Sequence, residues 1–534
     1  MTSIKQFFSF LEKNPKYIYG FIVLLIFPAF FINLGLYPFN LDEATRAVVA
    51  IEMKFSENII VPTINGESYY NKPPLFNWIQ LLLVNATGSM EEWVFRIPVV
   101  LSLLGLGLSV FLTLRKELGL KVSLLTAFAV ITSGRILFYD SFKGLIDISF
   151  SWVMYLNFWT IFNNFRKEKF FRLFIFSWIL TAIGFLLKGM PSLVFQGITL
   201  LVYFTAQKSF RKLFSIQHII GGLIFLGLTG GYLLIYNHEN SSLHLIANLW
   251  TESAKRTPIS NSFFSTVRHF FIFPAEFFYN FLPWSILVLS MFSKVILKKI
   301  QEEKTLRFFA IILMANILVY WISPSIYPRY LFMFLPMFFG ILSYSYFYIG
   351  DTAWVKKYLY TPFFHTVTVI LSISLCSLPF VFDTSFHSNF WLKFLLLAVF
   401  AVVLITLYIR FKTERIFVLV GIALLTRVGF NFYIFDERIR TGNDSYLKME
   451  VIKVAEMTKN RPLFLYRDCP IHNVNTFYIE RERQEILLRW QGEMTSGNLY
   501  IVPESRLSTL PDHKILAVFK TNLAFLKLYV IEPL

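Results

Sequence analysis

Apolar stretches of near-constant length, separated by short polar ones, dominate the chain from Tyr17 to about residue 435. A helix needs about 20 mostly apolar residues to cross a bilayer. The pattern therefore predicts helices near 17–36, 97–114, 122–139, 145–163, 172–188, 190–206 and 216–236. Others follow near 276–296, 306–322, 327–350, 361–382, 391–410 and 416–435, giving about thirteen spans. No small-residue cleavage site follows the first run, so it is read as a retained helix. Beyond Thr441 the pattern changes. "YLKMEVIKVAEMTK" has helical spacing, while "PLFLY", "NLYIVP", "KILAVFK" and "LKLYVIE" read as short strands. The expected fold is an all-α polytopic membrane protein over 1–440, with interfacial helices in the first outer loop, and a small extracytoplasmic α/β domain over 441–534.

The polar stretches assign sidedness. With the N-terminus cytoplasmic, the loops on that side carry Arg115, Lys116, Lys121, Arg166, Lys167, Lys169, Arg172, Lys208, Arg211 and Lys212. Lys294, Lys298, Lys299, Lys304, Arg307, Lys356, Lys357, Lys412 and Arg415 continue the series. The short loops of the other side hold little besides Lys143, Lys188 and Arg329. This is the positive-inside asymmetry. An odd number of spans then puts the tail and the loops 37–96 and 237–275 on the outer side, which in a bacterial inner membrane is the periplasm.

Composition agrees. The chain of 534 residues is 56% hydrophobic and 16% charged, with 62 Phe, and its mean hydropathy is +0.57. A net charge of +17 would suggest nucleic acid in a soluble protein. Here the cations sit in clusters between spans, so topology explains them and no nucleic-acid partner is expected. Two cysteines, Cys376 and Cys469, make no metal spacing.

The candidate chemistry lies in the first outer loop. "NLDEATRAVVAIEM" reads as a helix along the membrane surface bearing Asp42, Glu43, Arg46 and Glu52. "NKPPL" then presents Lys72, with Pro73 and Pro74 stiffening its exit. ATP and nucleotide sugars are absent outside the cell, so group transfer there requires a donor already carried across. By residue chemistry alone, Asp42 and Glu43 are equally well explained as caps of that surface helix.

The order D-E, A-x-E-M, Pro, then G-x-x-Y-Y-x-K-P-P-L-x-x-W resembles the first loop of GT-C glycosyltransferases. These polytopic enzymes include the lipid A aminoarabinose transferases (ArnT) and the protein O-mannosyltransferases. The matching residues run from Asp42 and Glu43 through Ala50, Glu52, Met53, Pro62, Gly66, Tyr70, Lys72, Pro73, Pro74 and Leu75 to Trp78. "FRIPVV", "GLIDISF", "LLKGMPSLV", "NFLPWSI" and "YPRYLFMFLP" follow in family order. The resemblance implies a sugar donor on a polyprenyl phosphate such as undecaprenyl phosphate. It implies an acceptor on a glycolipid (lipid A or another) or on a protein, and inverting transfer at the outer face. Asp42 matches the catalytic carboxylate, with Glu43 and Asp147 as supporting acids. Lys72, Arg256 and Tyr330 match groups that meet the donor phosphate, with Lys255 a rival to Arg256. Tyr70 and Arg46 are expected to bind substrate. Where the lipid A enzyme has an acid before the lysine and a His in the later loop, this chain has Asn71 and Ser253. Metal-independent transfer by a monomer without a cofactor is therefore expected.

Two other classes compete. A secondary transporter or lipid-linked-sugar flippase places charges near the bilayer midplane on broken helices, whereas "LLGLGLSVFLTL" carries none. An oligosaccharide polymerase or ligase would carry an arginine-rich outer loop in place of the D-E and K-P-P pair.

Overall fold

The computed structural model describes residues 2–257, 262–350, 353–521 and 526–534. Helices α1 (Thr2–Lys13), α2 (Lys16–Leu24) and α3 (Ile26–Phe31) lead to the first loop, which contains α4 (Leu41–Phe55), the hairpin β1 (Thr63–Ile64) and β2 (Glu67–Ser68), and α5 (Leu75–Thr87). Then come α6 (Glu92–Leu118), α7 (Leu120–Thr132), α8 (Ile146–Arg166), α9 (Phe170–Lys188), α10 (Pro191–Ala206), α11 (Ile216–Glu239), α12 (Ser242–Ala254) and α13 (Phe263–Asn280). The remaining helices before the tail are α14 (Lys294–Glu302), α15 (Lys304–Trp321), α16 (Leu335–Tyr348), α17 (Thr361–Cys376), α18 (Leu378–Val381), α19 (Phe390–Arg410), α20 (Arg415–Gly429) and α21 (Phe435–Thr441).

Among the described residues, eight helical segments are long and apolar enough to cross a membrane, and four shorter apolar helices accompany them. The chain is a multi-pass, all-α membrane protein. One expectation needs correction. The stretch 276–296 is not one span: α13 ends at Asn280 and a 3-10 segment runs over Trp284–Phe292. Pro283, between them, has no N–H to continue the helical ladder. The first span is likewise stepped at Leu25, between α2 and α3.

The tail holds α22 (Asn443–Thr458), β3 (Leu463–Tyr466), α23 (Asn473–Arg483), β4 (Arg489–Trp490), β5 (Leu499–Pro503), β6 (His513–Lys520) and β7 (Lys527–Pro533). The sheet order is β4-β3-β5-β7-β6, with β3 parallel to both neighbours and β7 antiparallel to both of its own. The strand patterns stand where alternation predicts them. α23 and β4 were not anticipated: "NVNTFYIERER" carries too many polar residues to display an apolar stripe, yet most of it is buried.

That burial defines how the tail sits. Phe39, Ala44, Ala47, Val48 and Ile51 of the first loop share one core with Val451, Val454, Phe477, Tyr478 and Ile501. The Tyr478 hydroxyl donates to Glu92 Oε1 at 2.8 Å and accepts from the Phe39 N–H at 3.0 Å. The sheet module is thus clamped onto α4.

A pair of buried acids lies across this junction. Glu52 accepts from Thr63 Oγ1 at 2.6 Å, from the Gly66 N–H at 3.2 Å and from the Asn65 N–H. Gly66, at φ +74°, makes that turn accessible without strain. Glu480 accepts from the Leu487 N–H at 3.0 Å and lies close enough to Glu52 for the two charges to interact. Burial, and then the Glu52 charge, pushes the Glu480 carboxyl well above the usual range, and burial also raises Glu52. An acid whose folded pKa is raised stabilises the fold fully below its unfolded value and loses that contribution as pH rises through the folded one. Thermal unfolding in detergent should therefore show stability falling above the carboxylate range, with a slope approaching about 1.4 kcal/mol per pH unit. Glu480→Gln, which keeps a neutral hydrogen-bonding group, should flatten that slope.

Candidate active site

The first loop is positioned by one buried ion pair. Arg96 of α6 donates to Glu43 from Nη2 at 2.9 Å and from Nε at 3.2 Å. It also donates to the carbonyls of Leu34, Tyr37 and Pro38 at 2.9, 2.8 and 3.2 Å. Glu43 accepts further from the Asn40 N–H at 2.9 Å and the Gly144 N–H at 2.8 Å. A Cβ on Gly144 would lie 3.2 Å from the Phe95 carbonyl oxygen, so the closeness of this contact favours glycine. Glu43 thus joins the exit of the first span, the start of α4 and the turn before α8. Its side chain is 2% exposed and both oxygens are occupied. The expectation of a supporting catalytic acid is corrected here: Glu43 has no lone pair left for substrate, and it caps and anchors α4 instead.

One residue earlier, Asp42 is 64% exposed. Successive helical residues are about 100° apart, so its neighbour's anchoring leaves Asp42 facing open space. Asp42 Oδ2 accepts from Arg329 Nη2 at 2.6 Å. Arg329 Nε lies 3.2 Å from Asp147 Oδ2, and Asp147 Oδ1 accepts from Lys188 Nζ at 2.5 Å. The chain Asp42–Arg329–Asp147–Lys188 ties the first loop to the head of α8, to the end of α9 and to the segment before α16. Lys188 stands at the end of α9, where Gly189 at φ +86° turns the backbone away.

These groups surround a polar pocket of about 290 Å³ lined also by Thr45, Arg46, Tyr69, Lys72, Glu252, Arg256, Tyr330 and Asn473. The pocket brings together six expected residues: Asp42, Arg46, Lys72, Asp147, Arg256 and Tyr330. Tyr70 is elsewhere, its hydroxyl paired with Asn240 and its ring edge-on to His244. Its neighbour Tyr69 lines the pocket and accepts from Arg46 Nη2. Lys255 pairs with Glu252 at 2.6 Å and lines neither this pocket nor its neighbour, which leaves Arg256 as the cation there. Pro258, Ile259 and Ser260 of that segment lie outside the described residues. Arg256 is held by the Ser325 carbonyl at 2.8 Å and stacks near Tyr327 and Tyr330.

Lys72 has no ion pair among the described residues. Burial, then the charges of Arg46 and Lys188, lower its ammonium to about 8. An ammonium without an ion partner among the described residues, in a pocket that also holds Arg46, Lys188, Arg256 and Arg329, is a binding element for an anion.

A second cavity, of about 480 Å³, adjoins the first. Its wall includes Met190, Pro191, Val194, Phe195, Val319 and Tyr320, and its exposed lining is mainly apolar. Lys72, Lys188, Glu252, Arg256 and Tyr330 line both cavities. The arrangement has a cationic, polar chamber continuous with an apolar one.

Comparison with known structures decides the fold. ArnT from Cupriavidus metallidurans, crystallised with undecaprenyl phosphate, superposes with a TM-score of 0.69 at 16% identity, covering 97% of this chain and 98% of that one. Its apo form gives 0.67 at 15% identity over the same shares. The fold is that of the ArnT structures. Residues 71–232 match the dolichyl-phosphate-mannose-protein mannosyltransferase family. An uncharacterized protein of Aquifex aeolicus is 26% identical over 222 residues, which is 41% of this chain and 43% of that protein. The chain thus spans less than half the length of that curated relative.

The ArnT-like fold raises the question of a metal. Among the described residues, no three of His, Cys, Asp and Glu gather closely enough to hold one. Asn71 Oδ1 accepts from Asn248 at 2.9 Å, and the Ser253 hydroxyl donates to the Leu249 carbonyl at 2.8 Å. Neither position supplies a charged or imidazole donor, so the residues present do not fit such a site.

Arg329, Lys188 and Asn473 were not assigned by the sequence. The first two were visible as cations in outer loops that are otherwise poor in them. Asn473 donates to Thr45 Oγ1 at 2.7 Å from the start of α23 and had no local signal. The two adjacent acids should separate in unfolding experiments. Glu43→Gln leaves Arg96 buried and unpaired, with an expected cost of about 3–5 kcal/mol. Asp42→Asn removes a carboxylate that is 64% exposed and leaves Arg329 its second partner Asp147, so it should cost less than Glu43→Gln does.

Proposed function

We propose that this protein is a membrane glycosyltransferase that moves a sugar from a polyprenyl-phosphate donor to an acceptor at the outer face of the cytoplasmic membrane. One observation carries the reading: the cationic pocket and the apolar cavity meet over Lys72, Lys188, Glu252, Arg256 and Tyr330. A free nucleotide sugar has no use for the apolar half, and a neutral lipid has no use for the cations. A lipid-linked sugar phosphate suits both. The undecaprenyl phosphate bound to ArnT and the dolichyl-phosphate-mannose family match support the same donor class.

In this reading the donor's isoprenoid lies along Met190, Val194, Phe195 and Val319, and its phosphate meets Lys72 and Arg256. The sugar projects into the polar pocket beside Asp42. Arg329 holds Asp42 Oδ2, while Oδ1 carries no hydrogen bond among the described residues and is free to accept the acceptor's proton. The acceptor oxygen attacks the anomeric carbon and the bond from that carbon to the phosphate oxygen breaks. The polyprenyl phosphate leaves with the electron pair and inversion results. Removing the proton contributes on the order of 10²–10⁴-fold, and the cations stabilise the growing phosphate charge. Asp147, buried and paired with Lys188 and Arg329, positions these cations and takes no proton. Asn473 and Thr45 form the wall nearest Asp42 from the tail side, where an acceptor from a glycolipid or a protein would enter. The cation-rich loops lie at the opposite helix ends, which supports a cytoplasmic location for those ends.

Three outcomes test this with purified protein, a polyprenyl-phosphate sugar and envelope glycolipid or glycoprotein acceptors. Asp42→Asn should lower turnover by about 10²-fold or more while donor binding persists; near-normal turnover would exclude Asp42 as the base. Lys72→Ala should mainly raise the KM for donor. Because the Lys72 ammonium loses its proton above about 8, donor affinity should weaken as pH rises through that value. Lys72→Arg, charged throughout, should abolish that dependence.

A further inference from the structure

A third cavity, of about 370 Å³, opens at the other ends of the helices that carry the polar pocket. α8 runs from Asp147 at the pocket to Arg166 here, a helix of 21 residues and thus about 30 Å long. α9 runs from Phe170 here to Lys188 there, and α15 from Lys304 here to Tyr320 beside the apolar cavity. α10 ends at Ala206, and Gln207, which follows it, is also in this wall. Arg166, Lys304 and Arg307 line the cavity against one acid, Glu168. Arg166 is paired with Glu117 at 2.6 Å, but Lys304 and Arg307 make no ion pair among the described residues. Tyr203 and Gln207 supply uncharged donors, while the Ser209 hydroxyl donates to the Gln207 carbonyl at 3.1 Å, and Tyr203 is buried between Phe165 and Phe308 at ring distances of 4.9 and 4.8 Å. Ser209 adjoins a surface cluster of Lys208, Arg211 and Lys212, next to the exposed rings of Phe210 and Phe214. Exposed aromatic rings beside cations are typical of headgroup depth in a bilayer.

Positive-inside bias accounts for the number of cations on this face. It does not account for the convergence of three of them, with hydroxyl and amide donors, on one cavity. We infer that this cavity is a phosphate-anion site on the membrane face opposite the polar pocket, filled by the headgroup phosphate of an anionic phospholipid or by free phosphate. A guanidinium fork and an ammonium suit phosphate oxygens, and basic recesses between membrane helices are a known mode of anionic-lipid recognition. An occupant would draw together the distal ends of α8, α9, α10 and α15, whose near ends hold Asp147, Lys188, Pro191 and Tyr320.

The test compares wild type with Lys304→Gln/Arg307→Gln, both exposed positions, and with Tyr203→Phe. Native mass spectrometry after reconstitution in phosphatidylcholine, with and without phosphatidylglycerol, counts retained lipid. Thermal unfolding in phosphatidylcholine nanodiscs, with and without inorganic phosphate, reads the free anion. Phosphate bound in the polar pocket is cancelled by taking the difference between wild type and variant. The expected result is one phosphatidylglycerol retained by wild type and about tenfold weaker retention by the double variant. Tyr203→Phe should weaken it less, and added salt should weaken it in wild type. Stabilisation by phosphate alone, lost in the double variant, would assign the site to the free anion; retention of lipid alone would assign it to the headgroup. Equal retention by wild type and variants, together with equal phosphate stabilisation, would overturn the inference, as would no preference for phosphatidylglycerol over phosphatidylcholine together with no phosphate effect. Should the double variant fail to fold, the salt dependence of lipid retention in wild type carries the test: retention indifferent to salt would overturn it.

Discussion

Asp147 is a buried carboxylate at the head of α8, and the layout of the pocket follows from the need to pair it. Lys188 and Arg329 satisfy its two oxygens from different segments of the chain. Arg329 has a second contact to give, and it reaches Asp42 on the first loop. A single desolvated charge thus fixes the relative positions of α4, α8, α9 and the start of the segment leading to α16. Removing one partner would leave an uncompensated charge near the membrane, a far larger penalty than that of a surface pair.

The same logic repeats behind the pocket, where Glu43 and Arg96 form the anchor on which the Asp42–Arg329 pair depends. With Glu43 fully engaged, the backbone of α4 is immobilised by contacts that reach α6, the first-span exit and the turn before α8. Asp42 inherits that rigidity without being buried itself. An exposed carboxylate on a fixed backbone suits a group that must meet an incoming molecule. The tail module adds a further clamp through Tyr478 and Asn473, so the loop is held from the membrane side and from the solvent side.

Much of the fold was legible in the sequence because the bilayer imposes a length and a polarity on every span. Departures occur where a proline or a short helix interrupts that regularity, as at Pro283 and Leu25. Within the site, chain order identified the loop and the residue types, but not which of two neighbours faces the pocket. Asp42 and Glu43 are adjacent, as are Tyr69 and Tyr70, and only the packing of α4 and the hairpin separates them. Lys188 and Arg329 come from segments remote from the first loop. Their signal was a cation on the face where cations are scarce, a cue that points to function once topology has been assigned. α23 left no signal, since its burial against α4 is a property of the tertiary fold and its own sequence is polar.

The proposed donor site is amphiphilic, formed where the cationic pocket joins the apolar cavity. A cryo-electron microscopy structure of the protein in nanodiscs with a polyprenyl phosphate tests it most directly. Phosphate density is expected within hydrogen-bonding distance of Lys72 and Arg256, with the isoprenoid running past Val194, Phe195 and Val319. A phosphate seated away from both cations, or a chain that avoids the apolar cavity, would contradict it.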